Sequence, residues 1–271
     1  VPLAYTIPLR PFIVCILALA IPPGAPSQSV ASIEQYRHHP PAILHIAAAA
    51  DLQPVLPTLA QTYEKETGIK LELSFGSSSA LATQILNGAP VDVFLGADFS
   101  FPEKIVAAGL ADQSTPIPYA TGTLVLWARK DANIPILNID HLTDPTIIRI
   151  AIADQFRAPY GRAAFATLDA LKLTDKLRPK LVHAENVAQA AQFAESGNAQ
   201  VAFISLTIAT SQHMRQVGTY TRVPALYPKI RQCGVVVKAS PNLSEAQKFL
   251  AWLTSRKTQQ SLASFGLEPA Q

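Results

Sequence analysis

A chain of 271 residues with 49% hydrophobic and 15% charged content can bury a sizeable core, which excludes disorder over most of its length and suits one large domain or two modest lobes. The formal net charge is +3, from 22 basic and 19 acidic side chains, and the basic residues are scattered instead of forming a stripe, so no nucleic-acid footprint is visible.

In chain order, the first feature is Arg10 ahead of the apolar run 12–21, followed by Pro22, Pro23 and a small, polar stretch. This pattern predicts a secretory signal peptide over 1–31, with cleavage after Ser29-Val30-Ala31 and a mature chain from about Ser32. The run is short for a bilayer span, and no later segment is long and apolar enough to be one. Cys15 lies in the middle of that run, which argues against a lipid anchor. Cys233 would then be alone in the mature chain, excluding an internal disulfide, and its neighbours Gly234-Val235-Val236 mark it as a buried strand residue.

After a polar leader at 32–40, short apolar runs alternate with amphipathic stretches, which is an α/β pattern. Strands are expected at 43–48, 70–75, 91–95, 122–128, 149–153, 201–204 and 234–238. Helices are expected at 53–66, 78–87, 102–109, 160–171, 187–196, 243–254 and 256–264. Asn87-Gly88, Gly109 and Gly197-Asn198 stand where helices should stop. Extended segments at 119–130 and 226–237 resemble paired crossings between two lobes. They divide the chain into lobe I (41–122 plus 229–271) and lobe II (123–228).

Four segments share one local design, in which an apolar strand or its neighbour runs into small or hydroxylated residues that open a helix. They are Ile46-Ala47-Ala48-Ala49-Ala50-Asp51-Leu52, Phe75-Gly76-Ser77-Ser78-Ser79, Arg157-Ala158-Pro159-Tyr160-Gly161 and Glu185-Asn186-Val187-Ala188. The first turn of a helix leaves N–H groups unpaired and carries the positive end of the peptide dipoles. Such ends bind anions when small residues let the ligand approach the backbone. Plain N-capping explains each segment separately, with Ser77 or Ser78 as one cap and Asn186 with Gln189 as a capping-box-like start. Three consecutive hydroxyls at 77–79 exceed what a cap needs.

Taken together with Asn87-Gly88-Ala89-Pro90-Val91-Asp92-Val93-Phe94-Leu95-Gly96-Ala97-Asp98 and Tyr119-Ala120-Thr121-Gly122-Thr123-Leu124-Val125-Leu126-Trp127, these segments resemble the molybdate-binding periplasmic proteins, in register from about residue 43 to the C-terminus. The resemblance implies a two-lobed α/β fold, the type II periplasmic-binding fold, with a small oxyanion in the cleft between the lobes. It implies a periplasmic, non-enzymatic component of an ABC importer that binds molybdate, and also tungstate, as a monomer working with a permease and its ATPase subunits. No cofactor is implied, and molybdenum would be held only as its oxyanion.

The site residues carry over position by position. Ser78 matches a hydroxyl ligand, Tyr160 and Val187 match donors through the backbone N–H, and Ala50 and Asp51 occupy the first loop, where relatives commonly place Ser, Thr or Asn. Asp51 is a departure, because a carboxylate 4 Å from an anionic oxygen is repelled by about 4 kcal/mol at an effective dielectric constant near 20. The expectation is that Asp51 caps its own helix and leaves its N–H as the donor. Ser205 is a second departure, where some members supply a Tyr hydroxyl.

Other residues define the alternatives. Sulfate or phosphate could replace molybdate, with Asp51 accepting a proton from phosphate. An exported hydrolase could use the Ser77–Ser79 loop, given a nearby base. Asp92 and Asp98 could pair as acid and base, or simply cap and pack. Arg157 and Arg162 flank Tyr160 and could steer an anion without touching it, or be surface arginines. The histidines lack metal-ligand spacing apart from the leader pair His38-His39, and no Gly-rich nucleotide loop is present.

Overall fold

A computed structural model describes residues 43–270; the expected signal peptide and leader lie outside the described residues. The chain begins with β1 (Ile43–Ala49), α1 (Leu56–Thr67), β2 (Lys70–Gly76), α2 (Ser78–Leu86), β3 (Val93–Gly96), α3 (Ser100–Ala107) and β4 (Ile117–Gly122). It continues through β5 (Leu124–Arg129), β6 (Ile150–Ala153), α4 (Pro159–Ala170), α5 (Thr174–Leu177), β7 (Leu181–Ala184), α6 (Val187–Glu195), β8 (Val201–Ser205), α7 (Leu206–Ala209), α8 (Gln212–Val217) and β9 (Gly218–Arg222). It ends with β10 (Ile230–Val236), α9 (Leu243–Leu253), α10 (Arg256–Ser264) and β11 (Glu268–Pro269).

The strands form two mixed sheets, ordered β11-β4-β10-β3-β1-β2 and β7-β6-β8-β5-β9. In the first, β1 runs parallel to β2 and β3, and β10 returns antiparallel between β3 and β4. In the second, β6 is parallel to β7 and β8, while β5 is antiparallel to β8 and β9. Helices cover the sheets, as parallel strands buried on both faces require. One core fills in around Trp127 and Phe203 of the second sheet and Leu168 of α4. Two others flank the first sheet, around Tyr63 and Phe249 on one side and Phe94 and Phe101 on the other.

The chain passes from the first sheet to the second at Thr123 and returns between Arg222 and Ile230. The single expected strand 122–128 is therefore β5 alone, with Gly122 closing β4 in the other sheet. Strand β10 starts four residues before the expected 234, because Ile230 and Gln232 already point inward while Arg231 faces out. Four strands were not expected from sequence, one of them the two-residue β11. β4 is interrupted by Pro118, β7 is only four residues long, and β9 is a polar edge strand whose Thr219, Tyr220 and Arg222 are exposed, so none shows clear alternation. The expected helix stops hold: Gly88, Gly109 and Gly197 have φ of 86°, 72° and 80°.

The parallel strands place their carboxyl ends toward common loops, which is where ligands bind in open α/β sheets. β1 runs into a 3-10 turn at Ala50–Leu52, β2 into α2, and β7 into α6; β6 reaches α4 through the loop 154–158.

Candidate functional site

These four strand-to-helix junctions meet at one cleft. Ala50 and Asp51, Ser77 and Ser78, Pro159 and Tyr160, and Asn186 and Val187 all line it, with Ala97 from the loop after β3. Its open space is about 10 Å³, roughly the room needed for one water-sized particle. All five residues expected at an oxyanion site (Ser78, Ala50, Asp51, Tyr160 and Val187) are thus brought together from both sheets.

Each junction satisfies part of its backbone internally. Ser77 caps α2 by accepting from the Ala80 N–H at 3.3 Å, and Asn186 caps α6 by accepting from the Ala188 and Gln189 N–H groups at 3.0 Å each. Helix α4 has no side-chain cap; Pro159 occupies its first turn, where a missing N–H costs nothing. Ser78 takes a different role from Ser77. Its Oγ accepts from the Ala97 N–H at 3.1 Å, which leaves the hydroxyl proton to be donated elsewhere. Among the hydrogen bonds of the described residues, Ser77 and Ser78 meet backbone N–H groups and no His, Asp or Glu side chain.

Asp51 departs from its expected role. The 3-10 turn begins at Ala50 with Ala49 as its N-cap, so Asp51 already lies inside the turn, past the position from which a side chain caps. Its carboxylate is drawn across the molecule. Gln232 Nε2 donates to Oδ2 at 2.5 Å, the Tyr160 hydroxyl donates to the same oxygen at 3.1 Å, and Gln232 Nε2 also donates to that hydroxyl at 3.1 Å. Thr207 Oγ1 donates to the Asp51 carbonyl at 2.7 Å and is itself 2.7 Å from Ser205 Oγ. Ser205 thus caps α7 and braces Thr207.

Asp51 is fully buried, and that burial pushes its pKa up to about 7, with the Gln232 and Tyr160 hydrogen bonds pulling it back. Burial and the neighbouring Asp51 charge hold the Tyr160 phenol well above its usual range. Two buried acceptors, Asp51 Oδ1 and Gln232 Oε1, have no partner. Tyr160 reaches this network over Gly122: a Cβ built on Gly122 would lie 2.1 Å from the Tyr160 hydroxyl, so only glycine allows the approach.

The remaining candidates resolve into structure. Asp92 accepts from the His45 N–H at 2.7 Å and from Ser240 at 2.5 Å, while Asp98 accepts from Ser100 at 2.8 Å and from Arg162 at 2.6 Å. The two acids flank opposite ends of β3 and do not form a pair. Arg162 commits its guanidinium to Asp98, tying lobe to lobe. Arg157 is exposed, with its carbonyl accepting from the Ser79 N–H at 3.2 Å. Among the described residues there is no metal-capable cluster and no helix long and apolar enough to cross a membrane. Gln232 and Thr207 were not foreseen. The one available signal for Gln232 was a polar residue at an inward position of an apolar strand.

The family model of the bacterial extracellular solute-binding proteins matches residues 44–268. The molybdate-binding protein ModA of Azotobacter vinelandii is 34% identical over 224 residues, covering 82% of this chain and 88% of the relative. That of Rhodobacter capsulatus is 33% identical, covering 81% and 86%. The solved structure of the Azotobacter vinelandii periplasmic molybdate-binding protein superposes with a TM-score of 0.78 at 32% identity, over 84% of this chain and 100% of that one.

Proposed function

The chain belongs to the bacterial extracellular solute-binding proteins, binding proteins and not enzymes, and from that premise we propose that it is the periplasmic component of an ABC importer that captures molybdate. Its architecture is the two-lobed type II periplasmic-binding fold. The observation that carries the ligand class is the cleft itself. Three helix starts and a 3-10 turn converge on one small space, and among the described residues no Lys, Arg or His lines it. Fixed dipoles and neutral hydroxyls replace the hydration of an anion there without a formal countercharge.

In this reading, Ser78 donates its hydroxyl proton to the anion, and the backbone N–H groups of Asp51, Tyr160 and Val187 donate from their turns, with Ala50 keeping the first turn close. The relatives' names support molybdate. Tungstate, of nearly equal size and the same charge, would fill the site equally well. Lobe I (41–122 plus 229–271) and lobe II (123–228) close on the ligand, and the closed, monomeric form presents both lobes to a permease driven by separate ATPase subunits.

Calorimetric titration of the purified protein with molybdate, tungstate, sulfate and phosphate tests the assignment. One-to-one binding of the two metal oxyanions in clear preference to sulfate and phosphate is expected. Preference for sulfate or phosphate would sink it.

A further inference from the structure

Asp51 is a buried acid in the cleft where the proposed ligand arrives as a dianion. Its oxygens are treated unequally: Oδ2 accepts from Tyr160 and Gln232, whereas Oδ1 is buried with no partner. Among the described residues no cation pairs with it. Asp51 has no part in the ion pairs found among the described residues, and the elements packed against its turn bring none.

Helix α7 has no titratable side chain; Lys70 and Glu72 on β2 are exposed, and Glu195 ends α6 paired with His213. On β10, Arg231 is exposed over the Phe99 ring, and burial keeps the Cys233 thiol protonated. Arg162 of α4 is held by Asp98. The ionisable groups that face Asp51 are the phenols of Tyr160 and Tyr119, both raised and therefore neutral. An ionised Asp51 would set a third negative charge beside a dianion in a desolvated cleft, and its Oδ1 could only accept. A proton on Oδ1 removes the charge and turns the orphaned acceptor into a donor.

Resting on the oxyanion-binding reading, we propose that Asp51 enters the closed, liganded site as a carboxylic acid whose Oδ1–H donates to an oxygen of the bound anion, so that capture by a molecule with ionised Asp51 takes up one proton from solvent. The balance is simple: carboxylate, proton and dianion combine, and no other bond is made or broken. Asp51 then serves as an O–H donor in a site otherwise built from neutral donors, and the importer's first step becomes sensitive to pH.

The test is calorimetric titration with sodium molybdate between about pH 6 and 8, in buffers of different ionisation enthalpy, to count protons. The wild type is expected to take up little proton near pH 6, about half a proton near pH 7 and close to one near pH 8, and its affinity is expected to fall as pH rises, approaching about tenfold per pH unit at the alkaline end, the limit for a single linked proton. Asp51→Asn is expected to bind with no proton uptake and a flat pH profile; Asp51→Ser serves the same purpose should the Asn variant fail to fold. Wild-type binding without proton uptake, on the same flat profile as the neutral variants, would overturn the proposal alone. Tight phosphate binding without proton uptake would overturn it too, since the carboxylate would then be accepting the proton that phosphate brings. Absence of molybdate binding in wild type and variants would overturn the underlying reading, and the proposal with it.

Discussion

The Tyr160 hydroxyl donates to Asp51 Oδ2 at 3.1 Å across 109 positions of sequence, joining a residue after β1 in one lobe to the first turn of α4 in the other. Tyr160→Phe deletes this donor and leaves the backbone N–H in place. The Asp51 pKa should rise further, because one of the two side-chain hydrogen bonds that lower it is gone. Stability should fall by about 1–2 kcal/mol, the usual cost of leaving a buried acceptor short of a donor. Molybdate affinity at low pH should change much less. Chemical denaturation and titration of the same variant separate the two effects.

Ser77 and Ser78 are adjacent but make different contacts. Ser77 caps α2, so Ser77→Ala should cost about 1 kcal/mol of stability. Ser78→Ala should instead weaken oxyanion binding by roughly 10- to 100-fold, the equivalent of one hydrogen bond to a charged group. If thermal melts and titrations show both variants losing stability and affinity alike, the division of labour between the two hydroxyls is wrong.

Unliganded stability should depend on pH through Asp51. Its folded pKa of about 7 lies above the unfolded carboxyl value near 3.9, so between these values the folded state binds more protons than the unfolded state. The stabilisation is fully present below about pH 4 and is lost as pH rises through about 7, a change on the order of a few kcal/mol. Asp51→Asn should remove this slope and be the more stable protein at pH 8. Urea midpoints at pH 5 and 8 for both proteins give the answer, and parallel slopes would count against a raised folded pKa.

Gly122→Ala tests the close approach at the lobe crossing. The new methyl group would overlap the Tyr160 hydroxyl and force it away from Asp51 and Gln232. A loss of about 1–3 kcal/mol, typical of overpacking, is expected, together with weaker oxyanion binding, because the first turn of α4 would shift. An unchanged melting temperature would show that the crossing tolerates a side chain.

Much of the site could be read from sequence because its parts are local. A strand running into small or hydroxylated residues and then into a 3.6-residue apolar period declares a helix start within a few positions. Ser77, Ser78, Pro159, Asn186 and Val187 were all legible on that basis, as were the helix stops at Gly88, Gly109 and Gly197. The resemblance added which of these starts should share one ligand.

What only the tertiary structure decided is the environment of Asp51. Gln232 lies 181 residues from it and the Thr207 hydroxyl 156 residues away. Whether a carboxylate caps a turn, meets water or is sealed beneath a tyrosine depends on which distant strand the chain brings back beside it. No local period encodes that return. The path through Thr123 and back by β10 places Gln232 and Tyr160 over the first turn, and desolvation there, which exists only in the folded molecule, turns an ordinary acid into a group that titrates near neutrality.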